Sequence, residues 1–371
     1  MKNTLIVAVF ILTLTLSSGA QDGKKRFAPL PDELTRITRI AFGSCADEEL
    51  AQPIWKTIAN ENPELFLFIG DNVYADINRD QWVNEPDLKA LQFSYRTLDA
   101  RDDFNAFRKA VPILAGWDDH DFGVNDGGRD FPLKAEAKQL MLDFFEVPKK
   151  AAVRKRDGVY YSKIYGPEFQ RVQIIMLDTR WFRSNLTVTD EKNAVGKERY
   201  VPSKDPKQTM LGETQWKWLE DQLKKPAEVR LLVSGIQVES DAHGWEAWRT
   251  MPLERARLYT LIKRSGAEGV VMLSGDRHVG GFYRLEGKTG YPLYEFTSSS
   301  LNKSFARGTV ITENGPNQLG HLFGPENYGM LSLDWADRIL SMELKDIGGK
   351  TVRAVTISLD DLTHRIANNP R

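Results

Sequence analysis

The chain predicts an α/β protein, and three observations carry that prediction. Through its earlier part, short apolar runs of strand length alternate with amphipathic stretches of helical period. Beyond about residue 280 the alternation gives way to strand-like runs joined by short turns. Most of the early runs end in a compact polar motif, and ligands bind at the strand ends of α/β sheets.

Taken in order, the first run covers 37–42 in broken form and ends in Gly43-Ser44-Cys45. A helix is expected over 48–60. The run 65–69 ends in Gly70-Asp71-Asn72-Val73-Tyr74. A helical pattern over 87–109 breaks near 98–101, and the run 111–115 leads to Trp117-Asp118-Asp119-His120-Asp121. Residues 133–146 read as a helix that Pro148 follows. The run 172–177 leads to Asp178-Thr179-Arg180. Residues 213–223 are amphipathic, with Trp216, Leu219 and Leu223 on one side. The run 229–233 is followed by Gly235-Ile236-Gln237. Pro252 suits the first position of a helix over 253–263. The run 270–273 ends in Ser274-Gly275-Asp276-Arg277-His278. Strands are then expected over 281–286, 293–297, 330–333, 339–344 and 352–359, with a hairpin turn at Gly348-Gly349. Three long irregular stretches, 73–86, 121–132 and 183–210, are expected to wall a site, because such loops are usually functional.

Composition narrows the classes. The 371 residues are 41% hydrophobic and 27% charged, with a formal net charge of -1. That balance is ordinary for a globular protein and argues against a nucleic-acid-binding surface. Residues 1–20 read as a cleavable signal peptide: Lys2, an apolar run over 5–16, then Ser18-Gly19-Ala20 before Gln21. The run is short for a membrane span, and an uncleaved anchor is the alternative. The expected layout is a leader over 1–20, a linker over 21–36, one domain over 37–362 and a tail over 363–371. The expectation is a secreted or periplasmic monomer without a stable membrane anchor. Asn185-Leu186-Thr187 and Asn302-Lys303-Ser304 are glycosylation sequons.

The strand-end motifs point to a polynuclear metal site. Asp71 follows a buried run and a glycine, and a carboxylate shared by two cations is the usual device for holding them close. Tyr74 can turn back to the same cation as a phenolate. Cys45 is the single cysteine, so no internal disulfide is available to it. It is either a buried small hydrophobe or a thiolate on a metal, and its place at a strand end favours the metal. Thiolate and phenolate together suit a ferric ion. Asp118, Asp119, Asp121 and Asp276 offer hard oxygen for Ca²⁺, Mg²⁺ or Mn²⁺. His278 reads as a ligand. His120 reads as a proton donor to a substrate oxygen, oriented by Asp121 or another acid. Arg180 offers a fork that matches phosphate oxygens, against the plainer reading of a salt bridge to an acid such as Asp178. Arg183 is a second candidate of the same kind. His243 is a candidate for lining the pocket.

Together these motifs resemble the PhoD-like (alkaline phosphatase D) family of the calcineurin-like metallophosphatase superfamily. The resemblance rests on Ser44-Cys45, Gly70-Asp71-x-x-Tyr74, Trp117-Asp118-Asp119-His120, Leu177-Asp178-Thr179-Arg180 and Ser274-Gly275-Asp276-x-His278. Gln237 stands where the superfamily carries a lone His, which makes it a substrate-binding candidate with Arg180 and Arg183. The resemblance implies an αββα sandwich of two mixed β-sheets flanked by helices; larger relatives carry an extra N-terminal β domain, which is not expected here because only the linker over 21–36 separates the leader from the first strand. It implies Fe³⁺ on Cys45, Asp71, Tyr74 and His278, and Ca²⁺ near Asp71, Asp119 and Asp276. A further Ca²⁺ would take Asn125, and Mn²⁺, Mg²⁺ or Zn²⁺ are possible substitutes. The implied activity is hydrolysis of phosphate esters, with His120, Arg180 and Asp119 as the catalytic residues. Phospholipase-type cleavage and a non-catalytic Ca²⁺-binding module are the competing readings.

Overall fold

The computed structural model describes residues 26–78, 81–82, 88–304, 311 and 313–364. The leader expected over 1–20 therefore lies outside the described residues. The strands are β1 (Arg39–Gly43), β2 (Leu65–Phe68), β3 (Ile77–Asn78), β4 (Gln81–Trp82), β5 (Ile113–Ala115), β6 (Tyr161–Tyr165), β7 (Val172–Met176) and β8 (Val229–Ser234). They continue as β9 (Val270–Ser274), β10 (Gly280–Leu285), β11 (Leu293–Ser298), β12 (Gln318–Phe323), β13 (Asn327–Asp334), β14 (Ile339–Asp346) and β15 (Thr351–Ser358). The helices are α1 (Ile54–Asn60), α2 (Leu88–Asp99), α3 (Asp102–Ala110), α4 (Asp119–Phe122), α5 (Lys134–Phe144), α6 (Gly212–Leu223) and α7 (Pro252–Ser265).

Two mixed sheets form the centre. One runs β15-β14-β13-β1-β2-β5, the other β12-β10-β11-β9-β8-β7-β6. In the first, β1, β2 and β5 are parallel and β13 pairs antiparallel with β1. In the second, β11, β9, β8 and β7 are parallel. Alternation along β2 sets the layering. Leu65 and Leu67 join the core between the sheets, while Phe66 and Phe68 join an outer core under the helices. That outer core centres on Trp55, whose ring lies 4.9 Å from Phe107, 5.4 Å from Phe104 and 5.6 Å from each of Phe66 and Phe68. The sheets meet where Phe42 packs edge-on against Phe296 at 4.8 Å. Gly329 permits this, since a Cβ there would lie 2.0 Å from the Phe42 ring. On the far face, Trp216 and Leu219 of α6 and Leu258 and Ile262 of α7 cover the second sheet. The result is the αββα sandwich the resemblance implied.

Several elements depart from expectation. The helix expected from residue 48 starts at Ile54, because the preceding stretch turns, with Leu50 N on Asp47 O and Trp55 N on Gln52 O. The break near 98–101 is real and separates α2 from α3. Strands β6 and β12 were not anticipated, and α4 occupies what read as the start of a loop. Among the described residues, no helix is long and apolar enough to cross a membrane.

Candidate metal centre

The parallel strands of both sheets deliver the motifs to one place. Cys45 follows β1, Asp71 follows β2, Asp118 follows β5 and Asp276 follows β9. The backbone turns left-handed at Cys45 (φ 62), Asp71 (φ 49), Asp276 (φ 67) and His278 (φ 58). Non-glycine residues avoid this region, and such strain gathers at functional sites. Gly70 makes the approach of β2 to β5 possible: its φ is 134, and a Cβ there would lie 2.6 Å from Cβ of Asp118.

Four predicted ligands converge. Cys45 Sγ donates to Asp71 Oδ2 at 3.2 Å, and the Tyr74 hydroxyl reaches the same oxygen at 3.4 Å. The Tyr74 hydroxyl also lies 3.1 Å from Nε2 of His278. The donor atoms of Cys45, Asp71 and His278 lie within 4.8 Å of one another, and so do those of Asp71, Asp118, Asp119 and Asp276. Asp71 belongs to both sets. Its Oδ1, with Asp118 Oδ2 and Asp119 Oδ1, is buried without a hydrogen-bond partner.

The electrostatics follow from crowding. Burial, and then the charge of Asp119, raises the Asp71 carboxyl well above its ordinary range. Burial, and then Asp118, does the same to Asp276. Burial, and then Asp71, raises the Cys45 thiol. These groups cannot all ionise side by side without added positive charge.

His120 is oriented by an acid, but that acid is Asp76 and not Asp121. Its Nδ1 lies 2.6 Å from Asp76 Oδ1, and its Nε2 is 4.0 Å from Asp119. Burial opposes its charge, but Asp119 and Asp76 outweigh burial and raise its pKa well above the ordinary value. Asp121 does not orient it. Instead Asp121 accepts the backbone N–H of Asp118 at 2.7 Å and that of Asn72 at 3.3 Å, closing a capping box on α4. Burial pushes the Asp121 carboxyl up to about 8. Tyr74 lies between the His120 ring, with centroids 4.1 Å apart, and the Lys303 ammonium, 5.0 Å from its own centroid. Glu48 holds the Tyr74 backbone N–H at 2.8 Å.

The arginines and Gln237 sit behind the ligand sets. Arg180 is wholly buried, with Nε 2.6 Å from Asp118 Oδ1 and Nη1 2.5 Å from Glu246 Oε2. The carboxylate of Asp178, the acid first paired with it, instead accepts the backbone N–H groups of Arg180, Trp181 and Val159. Arg183 donates to the carbonyls of Asp126 and Gly127 and lies 3.1 Å from Glu246. Gln237 donates to the Tyr283 hydroxyl at 2.9 Å and to Thr297 at 3.1 Å, and His243 lies against its Oε1 at 2.9 Å. So these side chains are engaged within the protein, and His243 stays off the open wall. The open wall consists of His120, Asn125, Asp126, Arg199, Trp245, Glu246, Asp276, Arg277 and His278. Asp76, Arg199, Trp245 and Glu246 were not singled out from sequence. The acids at 76 and 246 carried no motif, although the Trp-rich stretch 244–248 was a usable signal. The sequon residue Asn302 is 5% exposed, with its amide on the Asp47 carbonyl, whereas Asn185 is exposed.

Comparison with known proteins gives the family and supports the fold. Residues 40–322 match the family described as PhoD-like phosphatase. The chain is 26% identical over 333 residues to alkaline phosphatase D of Bacillus subtilis (strain 168), covering 79% of this chain and 54% of that protein. It thus spans about half the length of that curated relative. A solved structure of PhoD superposes with a TM-score of 0.66 at 19% identity, covering 89% of this chain and 70% of that one. GAP50, the anchor in the inner membrane complex of Plasmodium, superposes with a TM-score of 0.54 at 12% identity, covering 87% and 89%. These two structures share the fold.

Proposed function

Because the chain belongs to the PhoD-like phosphatase family, we propose that it hydrolyses phosphoric esters at a two-cation centre built around Asp71. The observation that carries this reading is the sharing of Asp71 by two ligand sets. The residues present fit such a centre. Unpartnered buried carboxylate oxygens at Asp71, Asp118 and Asp119 cost free energy that a cation recovers. Cys45, Asp71, Tyr74 and His278 would hold the first cation, and their thiolate–phenolate chemistry suits Fe³⁺. Asp71, Asp118, Asp119 and Asp276 would hold the second, and an all-carboxylate set suits Ca²⁺. Two further sets remain: Asp71, Asp119 and His120, which overlaps the second and whose imidazole is held by Asp76, and Asp119, Asp126 and Glu246, which is already met by the guanidinium groups of Arg180, Arg183 and Arg199, so no further cation is assigned to either or to Asn125.

When bound, the cations would supply Lewis acidity toward the phosphoryl oxygens and lower the pKa of water. The chain's own residues do the rest. Asp76 fixes the imidazole of His120 through Nδ1, which leaves Nε2 to deliver a proton to the departing oxygen. Arg180 acts through Asp118, holding that carboxylate in place from behind. Arg183 and Gln237 likewise support the site from behind. The acting unit is one domain over 37–362, a monomer by this reading. The leader over 1–20 would export it, so the mature protein should begin at Gln21 on N-terminal sequencing.

The test is elemental analysis with a visible spectrum, alongside phosphate release from a chromogenic monoester and a diester. Iron near one equivalent, with a charge-transfer band that moves in Cys45→Ser and Tyr74→Phe, supports the first set. Zinc without colour removes the ferric assignment and leaves a cation-dependent hydrolase. Asp71→Asn should lose bound metal and turnover together, and full activity in that variant overturns the proposal.

A further inference from the structure

The wall of the site carries a feature that the ligand sets do not use. Trp245 lies against two guanidinium groups, with Arg199 Cζ 4.9 Å and Arg277 Cζ 5.8 Å from its ring centroid. Both cations are anchored. Arg199 Nη1 lies 2.7 Å from Asp126 Oδ2, and Arg277 pairs with Glu313. The shelf is also fastened at the backbone, because the N–H groups of Arg199 and Tyr200 both donate to the Gly244 carbonyl, at 3.0 and 2.7 Å. Arg277 lies between Asp276 and His278 in the chain, so the shelf directly adjoins both ligand sets.

For Arg199, stability is a weak explanation: its partly exposed pair with Asp126 contributes roughly 0–1 kcal/mol, and exposed cation–π contacts about 0.5–1 kcal/mol. Arg277 is held more deeply, in a largely buried pair with Glu313. What the arrangement supplies is two restrained guanidinium groups on an open wall. Arginine presents N–H pairs that match carboxylate and phosphate oxygens. Side chains already held in place lose less freedom when a ligand arrives.

We propose that Arg199, Trp245 and Arg277 form a second anion subsite, and that the preferred esters carry a further carboxylate or phosphate on the leaving group. This rests on the phosphatase reading and adds the substrate class to it. Binding of non-hydrolysable probes to the metal-loaded protein tests it by calorimetry. Methylphosphonate carries no second anion, phosphonoacetate adds a carboxylate and methylenediphosphonate adds a phosphonate.

Phosphonoacetate or methylenediphosphonate should bind the native protein roughly tenfold or more tighter than methylphosphonate, the scale of one charge-assisted hydrogen bond. Whichever probe gains shows which anion the shelf prefers. The advantage should shrink in Arg199→Gln and Arg277→Gln, persist in Arg199→Lys, and fall with added salt. Melting curves establish that the variants are folded. Equal binding of all three probes overturns the subsite and leaves the phosphatase reading standing. An advantage that survives both glutamine substitutions also overturns it. Failure to bind even methylphosphonate defeats both readings.

Discussion

Replacing Arg180 with methionine separates two roles for this side chain. Methionine is of similar length and carries no charge. The change leaves Asp118 and Glu246 buried without the guanidinium that now lies 2.6 and 2.5 Å from them. Removing one partner of a buried ion pair costs roughly 3–5 kcal/mol, because the other charge stays buried and uncompensated. Glu246 keeps Arg183 at 3.1 Å, which favours the lower part of that range. Over a domain of this size, a loss of about 3–4 kcal/mol corresponds to a fall in Tm of roughly 4–6 °C. Thermal and urea unfolding of metal-free protein measure it. Adding Ca²⁺ should narrow the gap, since a cation among Asp71, Asp118, Asp119 and Asp276 takes over part of the compensation. A variant that melts within a degree or two of the native protein, with KM raised about a hundredfold, would refute this reasoning. It would return Arg180 to the direct phosphate contact suggested by sequence.

Three further outcomes follow from the same geometry. Asp76→Asn removes the carboxylate 2.6 Å from His120 Nδ1, so kcat should fall roughly tenfold to a hundredfold. The alkaline limb of its pH–rate profile should move to lower pH, since one of the charges raising the His120 pKa is gone, and an unmoved limb would count against the role. Gly70→Ala forces a side chain into φ 134 and against Asp118, and should cost at least roughly 1–3 kcal/mol by urea unfolding. Glu239 is buried beside Glu295, and burial, then that neighbour's charge, lifts its carboxyl from 4.5 to about 8. The fold therefore prefers it protonated. Its contribution to stability is fully present below about pH 4.5 and is lost as pH rises toward 8. Urea midpoints should show that decline in the native protein and a flatter profile in Glu239→Gln.

The sequence made the strands and their polar ends legible because both signals are local. A buried parallel strand is a short apolar run, and a ligand motif sits within a few residues of its end. Cys45, Asp71, Tyr74 and His278 were all found this way, and they do meet. What escaped depends on distant partners. Asp76 reaches His120 across 44 residues, and Glu246 reaches Arg180 across 66. Neither acid is part of a motif of its own, although each lies close to a segment that could have drawn attention to it: Asp76 two residues after Tyr74, and Glu246 in the Trp-rich stretch 244–248. Arg180 was read as facing a ligand because it ends a strand and its fork matches phosphate oxygens, whereas its actual partners, Asp118 and Glu246, lie 62 and 66 residues away. The start of α1 was misplaced because the turn after Asp47 is held by contacts that helical period cannot reveal, including the Asn302 side chain on the backbone N–H and carbonyl of Asp47. Strand β6 was missed because Tyr161–Tyr165 is half-polar and pairs only along one edge of its sheet.

The place of Asp71 in both ligand sets has a consequence for how the protein matures. In the metal-free fold, burial and then the charge of Asp119 raise its carboxyl well above the ordinary range. On the two-cation reading, the ion that arrives first meets the strongest competition from protons at this side chain, and the second meets it already engaged. If two cations share it as proposed, their affinities are reciprocally linked through one side chain: the factor by which the first alters binding of the second equals the factor by which the second alters binding of the first. On that reading, a shortage of either ion would leave the other bound at its unassisted affinity.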